Sequence, residues 1–232
     1  MILWSRRPLR VARVKLSEQS WTQVDPQSHL LVPLGSTEQH GPHLPMDTDT
    51  RIAIAIAERA AEQTGATAAP ALAYGSSGEH QGFDGTLSIG TEVLHAVVVE
   101  LVRSATQTFD GVTFVNGHGG NQQAVTGAVS QMVAEGHSVG SWSPSIPGGD
   151  AHAGHTETSL MLVLAPSLVR LDDAEAGNTA PVRELMEDLR RSGVASVSPN
   201  GVLGDPTNAS AIEGERLLAD LVDNLVHVLR SR

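Results

Sequence analysis

Four apolar runs of strand length, at 29–34, 67–74, 112–115 and 138–142, each lead into a glycine-rich or histidine-bearing polar segment. That rhythm limits the folds open to the chain. Runs this short, bounded by turn residues, fit strands buried on both faces. Between them lie stretches that read as helices at 50–64, 91–109 and 122–135, with three more at 156–164, 181–191 and 212–230. In 91–109, Leu94, Val97, Val98, Leu101, Val102 and Ala105 recur at the spacing of one helical face. Strands alternating with helices predict an α/β protein: one three-layer domain, a mostly parallel sheet flanked by helices. In open sheets of this kind the ligand crevice lies beyond the carboxyl ends of the strands. The polar clusters after Leu34, Tyr74, Val115 and Trp142 are therefore expected to meet in one site. Segment 196–208, rich in Gly, Pro, Asn and Ser, reads as an ordered loop or surface arm.

The clusters carry a consistent chemistry. The first, Glu38-Gln39-His40-Gly41-Pro42-His43 with Asp47 and Asp49, places carboxylates and imidazoles around a Gly-Pro turn. The second is Asn116-Gly117-His118-Gly119-Gly120-Asn121, and the third runs from Asp150 through His152 and His155 to Glu157. Carboxylate oxygen combined with imidazole nitrogen suits Zn²⁺, Mn²⁺ or Fe²⁺. A pair of divalent ions needs about four protein ligands or more, and Glu38, His40, Asp49, His118 and Glu157 are the candidates. Three carboxylates and one bridging hydroxide would offset two divalent ions, which keeps a buried cluster near neutral.

Each residue also has a plainer reading. Glu38 and Asp49 singly are equally readable as capping or loop acids, and Glu157 as a first-turn helix acid favoured by the dipole. One of His40 and His43 reads as a satisfied turn histidine, and His43 suits the role of orienting a ligand. His118 stands between two glycines, where a turn alone does not call for imidazole. Ser76, Glu79 and His80 lie on a Gly-rich loop, where substrate contact competes with ordinary loop polarity; Asn121 is a further substrate-binding candidate.

Composition excludes several classes. With no cysteine there is no disulfide, thiolate metal site or cysteine nucleophile. A formal net charge of −11 argues against a nucleic-acid partner. No apolar run approaches the ~20 residues that span a bilayer. Arg6, Arg7, Arg10, Arg13 and Lys15 interrupt the apolar residues of 1–16, so a secretory signal is not expected and a cytoplasmic location is. The chain lacks the Lys-Ser/Thr of a P-loop, the spacing of a dinucleotide fingerprint and a Gly-x-Ser-x-Gly elbow.

At these residues the chain resembles the creatininase (creatinine amidohydrolase) family. Gly35-Ser36-Thr37-Glu38-Gln39-His40-Gly41-Pro42-His43-Leu44-Pro45 followed by Asp49 matches the family's first motif, and Asn116 to Asn121 and Glu157-Thr158-Ser159 match later ones. The resemblance implies one creatininase-like domain over 1–232, a dinuclear centre of Zn, Fe or Mn, a homo-oligomer and hydrolysis of amide C–N bonds. It implies Glu38, His40, Asp49 and His118 as ligands, Asp49 bridging, and His152 as the catalytic histidine that protonates the departing amine after metal-hydroxide attack. There are two departures. Where creatininases carry an acidic ligand two residues beyond the second-motif histidine, this chain has Gly120, and Glu157 is the nearest candidate to replace it. Where they enclose a small ring with tryptophan, this chain has Ile146-Pro147-Gly148-Gly149-Asp150, so creatinine is not the expected substrate.

Segments 73–83, 177–181 and 198–207 resemble the branch of that family that serves mycofactocin biosynthesis. That branch implies a peptidase releasing a modified C-terminal Val-Tyr-derived dipeptide from a short precursor peptide. A small-molecule amidohydrolase or deformylase of the same family is the alternative enzyme, and a non-catalytic metal-stabilised scaffold is the alternative class.

Overall fold

The computed structural model describes residues 14–231. The reading of 1–16 as lacking a secretory signal lies almost wholly outside them. Strands β1 (His29–Leu34), β2 (Thr67–Ala68), β3 (Gly111–Asn116) and β4 (Val139–Trp142) form one sheet in the order β2-β1-β3-β4, and every pairing is parallel. Helices α1 (Thr48–Thr64), α2 (Thr91–Ala105) and α3 (Gln122–Ala134) are the crossovers. Helices α4 (His155–Leu164), α5 (Val182–Ser192) and α6 (Ala211–Arg230) complete the chain. Among the described residues no helix is long and apolar enough to cross a membrane.

Strand alternation sorts the core into two halves. Leu30, Val32 and Leu34 of β1 and Val112 and Phe114 of β3 face α2 and α3, where Leu94, Val98, Val102, Val125 and Met132 close the layer. Leu31 and Val115 point the other way, onto Ile52 and Ile56 of α1, Leu160 and Met161 of α4 and Leu218 and Leu225 of α6. Covering both faces satisfies a parallel sheet, and the period of two decides which residues meet which layer.

Most boundaries fall within two residues of the sequence expectation, but three regions differ. The helix expected over 91–109 ends at Ala105, and 106–109 continue as turns whose N–H groups bond back to the helix's last residues. The strand expected at 67–74 is paired as strand only over Thr67–Ala68, with an isolated bridge from Leu72 to Leu34 further on. Pro70 lies between the two pieces; it has no N–H for a ladder, so the chain runs beside β1 without continuous pairing. Of the two readings of 196–208, the ordered loop holds and the surface arm does not. Ser198, Val202 and Leu203 are buried, and Leu203 pairs with His152.

Strand order reverses between β1 and β3, neighbours in the sheet whose crossovers leave in opposite directions. The crevice between their carboxyl ends is where such sheets bind ligands. The start of α1 closes onto this crevice through glycine. A Cβ at Gly35 would lie 2.4 Å from the Thr50 Cα, and one at Gly117 would lie 2.6 Å from the Asp49 carbonyl oxygen. Both strand ends thus approach the α1 backbone more closely than any side chain allows.

Candidate metal centre

Asp49 sits in the first turn of α1, buried, with its two carboxylate oxygens facing opposite ways. Oδ1 is 3.0 Å from His40 Nε2; Oδ2 is 3.2 Å from His118 Nδ1 and accepts a 2.8 Å hydrogen bond from the Ser36 hydroxyl. His40 donates Nδ1–H to the Glu38 carbonyl oxygen (3.1 Å), which turns Nε2 toward Asp49. Glu38 follows β1 by four residues. Its Oε2 stands 3.1 Å from His118 Nε2, and its Oε1 stands 3.2 Å from His80 Nε2 and 3.8 Å from His152 Nδ1. Glu157, in the first turn of α4, places Oε2 3.9 Å from His40 Nε2 and accepts the Ala153 N–H at 2.6 Å. Potential ligand atoms of Glu38, His40 and Asp49 lie within 4.8 Å of one another, as do those of His40, His152 and Glu157, and of Glu38, His80 and His152.

These residues fit a metal. Both Glu38 carboxylate oxygens are buried and accept no hydrogen bond of good geometry, although imidazole nitrogens stand just over 3 Å away. An unsatisfied buried carboxylate is costly, and a cation removes the cost. Donor atoms around one ion with bonds of about 2.0–2.2 Å are separated by about 3.0–3.6 Å, and the His40–Asp49, His118–Asp49, His118–Glu38 and His80–Glu38 separations fall in that range, while His40–Glu157 and His152–Glu38 are wider.

The electrostatics point the same way. Burial opposes charge on His40, but Asp49, Glu157 and Glu38 outweigh it and raise its pKa to about 10. Burial likewise works against ionisation of Asp49, yet His40 and His118 hold its carboxyl well below the usual range. His118 is raised well above 6.5 against burial, by Glu38, Asp49 and Glu79. Burial lifts Glu157 to about 7. In the metal-free protein, protons on two imidazoles therefore stand in for cations. His152 differs. Burial, then His40 and His80, hold it well below its ordinary pKa, so it is neutral. It lies between those two rings, at 4.3 and 4.4 Å, and donates Nε2–H to the Gln39 carbonyl oxygen at 2.8 Å.

The other candidates divide. His43 is buried, its pKa lowered to about 4 by burial and His40, and it bonds Thr158 at 2.8 Å rather than Asp49. Asn121 clamps three loops: its Oδ1 accepts the Ser76 N–H, and its Nδ2 donates to the Gly35 carbonyl oxygen and Asn116 Oδ1. The Ser76 hydroxyl is 2.9 Å from that of Thr91. His80 is buried beside Glu38, whereas Glu79 is partly exposed and lies 3.4 Å from His118.

Two contributors lie in the sequence clusters but carry no role in the sequence reading. The Gln39 amide lies 2.9 Å from His80 Nδ1 and 3.0 Å from the Gly201 carbonyl oxygen, tying the loop 196–208 to the centre. Asp150 accepts the His155 and Thr156 N–H groups at the start of α4 and so aims Glu157. A hint for Asp150 was available, as an acid shortly before a helix N-terminus.

A cavity of about 820 Å³ opens over this floor, lined by Asn116, His118 and Glu157 below and by Ile146, Asp150, Pro181 and Asp205 toward the rim. That is ample for a drug-sized or short peptide ligand.

The model of the creatininase (creatinine amidohydrolase) family matches residues 17–229, and the chain belongs to that family. Within it, the chain is 55% identical over 206 residues to the mycofactocin precursor peptide peptidase of Mycobacterium ulcerans, covering 85% of this chain and 82% of the relative. The protein of the same name from Mycolicibacterium smegmatis is 55% identical over 201 residues, with 84% and 81% covered. The creatinine amidohydrolase of Pseudomonas putida is 29% identical, with 87% and 88% covered. A solved mutant creatininase of Zn–Zn type superimposes with a TM-score of 0.78 at 26% identity, covering 94% of this chain and 97% of that one.

Proposed function

We propose that this protein is a dinuclear metal-dependent hydrolase that cleaves an amide bond near the C-terminus of a short modified peptide, releasing the Val-Tyr-derived dipeptide of the mycofactocin precursor. The observation that carries the dinuclear reading is the two-faced Asp49, one oxygen toward His40 and the other toward His118. A carboxylate so placed suits two ions about 3.5–4 Å apart. Relatives at 55% identity bearing the peptidase name support the substrate, as does a cavity whose rim has Ile146, Gly148 and Gly149 in place of an enclosing tryptophan.

Glu38, His40, Asp49, His118 and Glu157 would hold the ions, Zn, Fe or Mn. When bound, such ions lower the pKa of water toward about 7 and polarise a carbonyl. The chain's own residues supply the rest. The Gln39 carbonyl fixes Nε2–H of His152 and leaves Nδ1 facing Glu38, so Nδ1 is the atom that collects a proton and returns it to the departing amine. In the metal-free protein His152 is neutral, with its one ring proton on the Nε2 that faces the Gln39 carbonyl, so Nδ1 carries none. A cytoplasmic location and a homo-oligomer, the latter on the family resemblance, belong to the same reading.

The test is direct. Metal-loaded protein is incubated with the precursor peptide, creatinine and formamides, and products are read by mass. Loss of the C-terminal dipeptide is expected. Cleavage of creatinine or a formamide with the peptide intact would instead favour the small-molecule amidohydrolase or deformylase.

A further inference from the structure

Position 120, two residues beyond His118, has no side chain, yet the space one would occupy is filled. A Cβ there would lie 2.3 Å from Glu79 Oε1, 2.3 Å from the Ser76 carbonyl oxygen and 2.4 Å from His118 Nε2. Glu79 thus reaches His118 from a turn, Gly78–His80, far away in sequence. Its Oε1 stands 3.4 Å from His118 Nε2, the nitrogen that faces Glu38 Oε2 at 3.1 Å.

The turn is anchored on both sides. The next residue, His80, is buried with its ring nitrogens near Glu38 and the Gln39 amide. Across from it, a Cβ at Gly193 would lie 2.7 Å from the Glu79 carbonyl oxygen, so the segment after α5 packs directly on the turn. A loop built only to meet substrate would not need its carboxylate against a buried imidazole.

We propose that Glu79 belongs to the metal centre rather than to the substrate pocket, its carboxylate supplying on the His118 flank the acidic group that Gly120 lacks. Glu157 then serves the His40 flank, so that each flank of the centre has its own acidic group beside the shared Asp49. This inference rests on the metal-centre reading above.

Glu79→Gln keeps the side chain's shape and removes its charge. Parent and variant, full length, are stripped and reloaded with Zn²⁺ or Co²⁺. Metal content, affinity by chelator competition and the Co²⁺ visible spectrum are then measured, with circular dichroism to confirm folding. The variant is expected to bind one ion per subunit at least about tenfold more weakly, with an altered Co²⁺ spectrum. Glu79→Asp, which keeps the charge, should recover part of that affinity and is read in the same way if Glu79→Gln does not fold. Parental affinity and spectrum in the variants, with only KM for the peptide raised, would overturn the proposal and return Glu79 to substrate contact. If the parent itself takes up no metal, the metal-centre reading fails first, a result distinct from parental binding in the variants.

Discussion

The two helical layers pack on the same sheet with similar aliphatic cores, yet only one sends carboxylates from its helix starts into the candidate metal centre. On the α1–α4–α6 side, α1 and α4 each carry a carboxylate in the first turn, Asp49 and Glu157, that reaches the centre. On the α2–α3 side, the first turn of α2 has an exposed Glu92 and that of α3 has no acid. A helix dipole favours a nearby carboxylate by only about 0.3–1 kcal/mol when exposed, too little to bury one. Asp49 is buried because His40 and His118, or the ions they would hold, answer its charge. Packing builds both faces; countercharge distinguishes them.

That contrast can be broken from either side. The largest effect is expected from Asp49→Ala, which removes the group between the two half-sites. Metal content by mass spectrometry should fall to a trace and hydrolysis with it, while the α2–α3 face stays intact. His152→Ala should keep both ions and lower kcat by about 10²–10⁴-fold; unchanged kcat would remove His152 from the reaction. On the other face, Phe114→Ala should cost about 3–5 kcal/mol in denaturant unfolding, yet leave metal bound per folded molecule unchanged. A loss of metal there would show that the two faces are not separable.

The smallest effect is in pH. In the metal-free protein His40, near 10, and His118 bind protons more tightly folded than unfolded. The contribution of both is complete below about pH 6.5; that of His40 is lost as pH rises toward 10, and that of His118 as pH rises through its own raised pKa. Glu157, near 7, adds loss between about pH 4.5 and 7. Below pH 6.5 the depressed His43, His80 and His152 act in the opposite sense, since they must charge on unfolding. The melting temperature of chelator-treated protein should therefore decline from pH 7 to 10. Metal-loaded protein, whose imidazoles carry no extra proton, should show little of that decline.

Much of this was legible in the sequence because the informative residues are local. The span from Glu38 to Asp49 holds a strand exit, a turn and a helix start, and the structure brings Glu38, His40 and Asp49 together as that spacing suggested. The boundaries of β1 were legible as well, since Gly35 closes an uninterrupted apolar run. What was not legible depended on distant parts of the chain. Pro70 interrupted a run that hydropathy alone extended to Tyr74. The burial of Val202 and Leu203 depends on pairing with His152, and Glu79 meets His118 only because a turn after β2 folds across the end of β3. Neither contact leaves a periodic trace in sequence.

The glycines at 35 and 117 press main chain against main chain, so the spacing from the strand ends to Asp49 is set by backbone that side-chain repacking elsewhere cannot loosen. The outer cavity wall around Ile146 and Pro181 comes instead from loops outside those contacts. On the proposed reading, guest recognition and reactivity draw on different parts of the chain: the outer wall could be rewritten for a new guest while the floor keeps its dimensions.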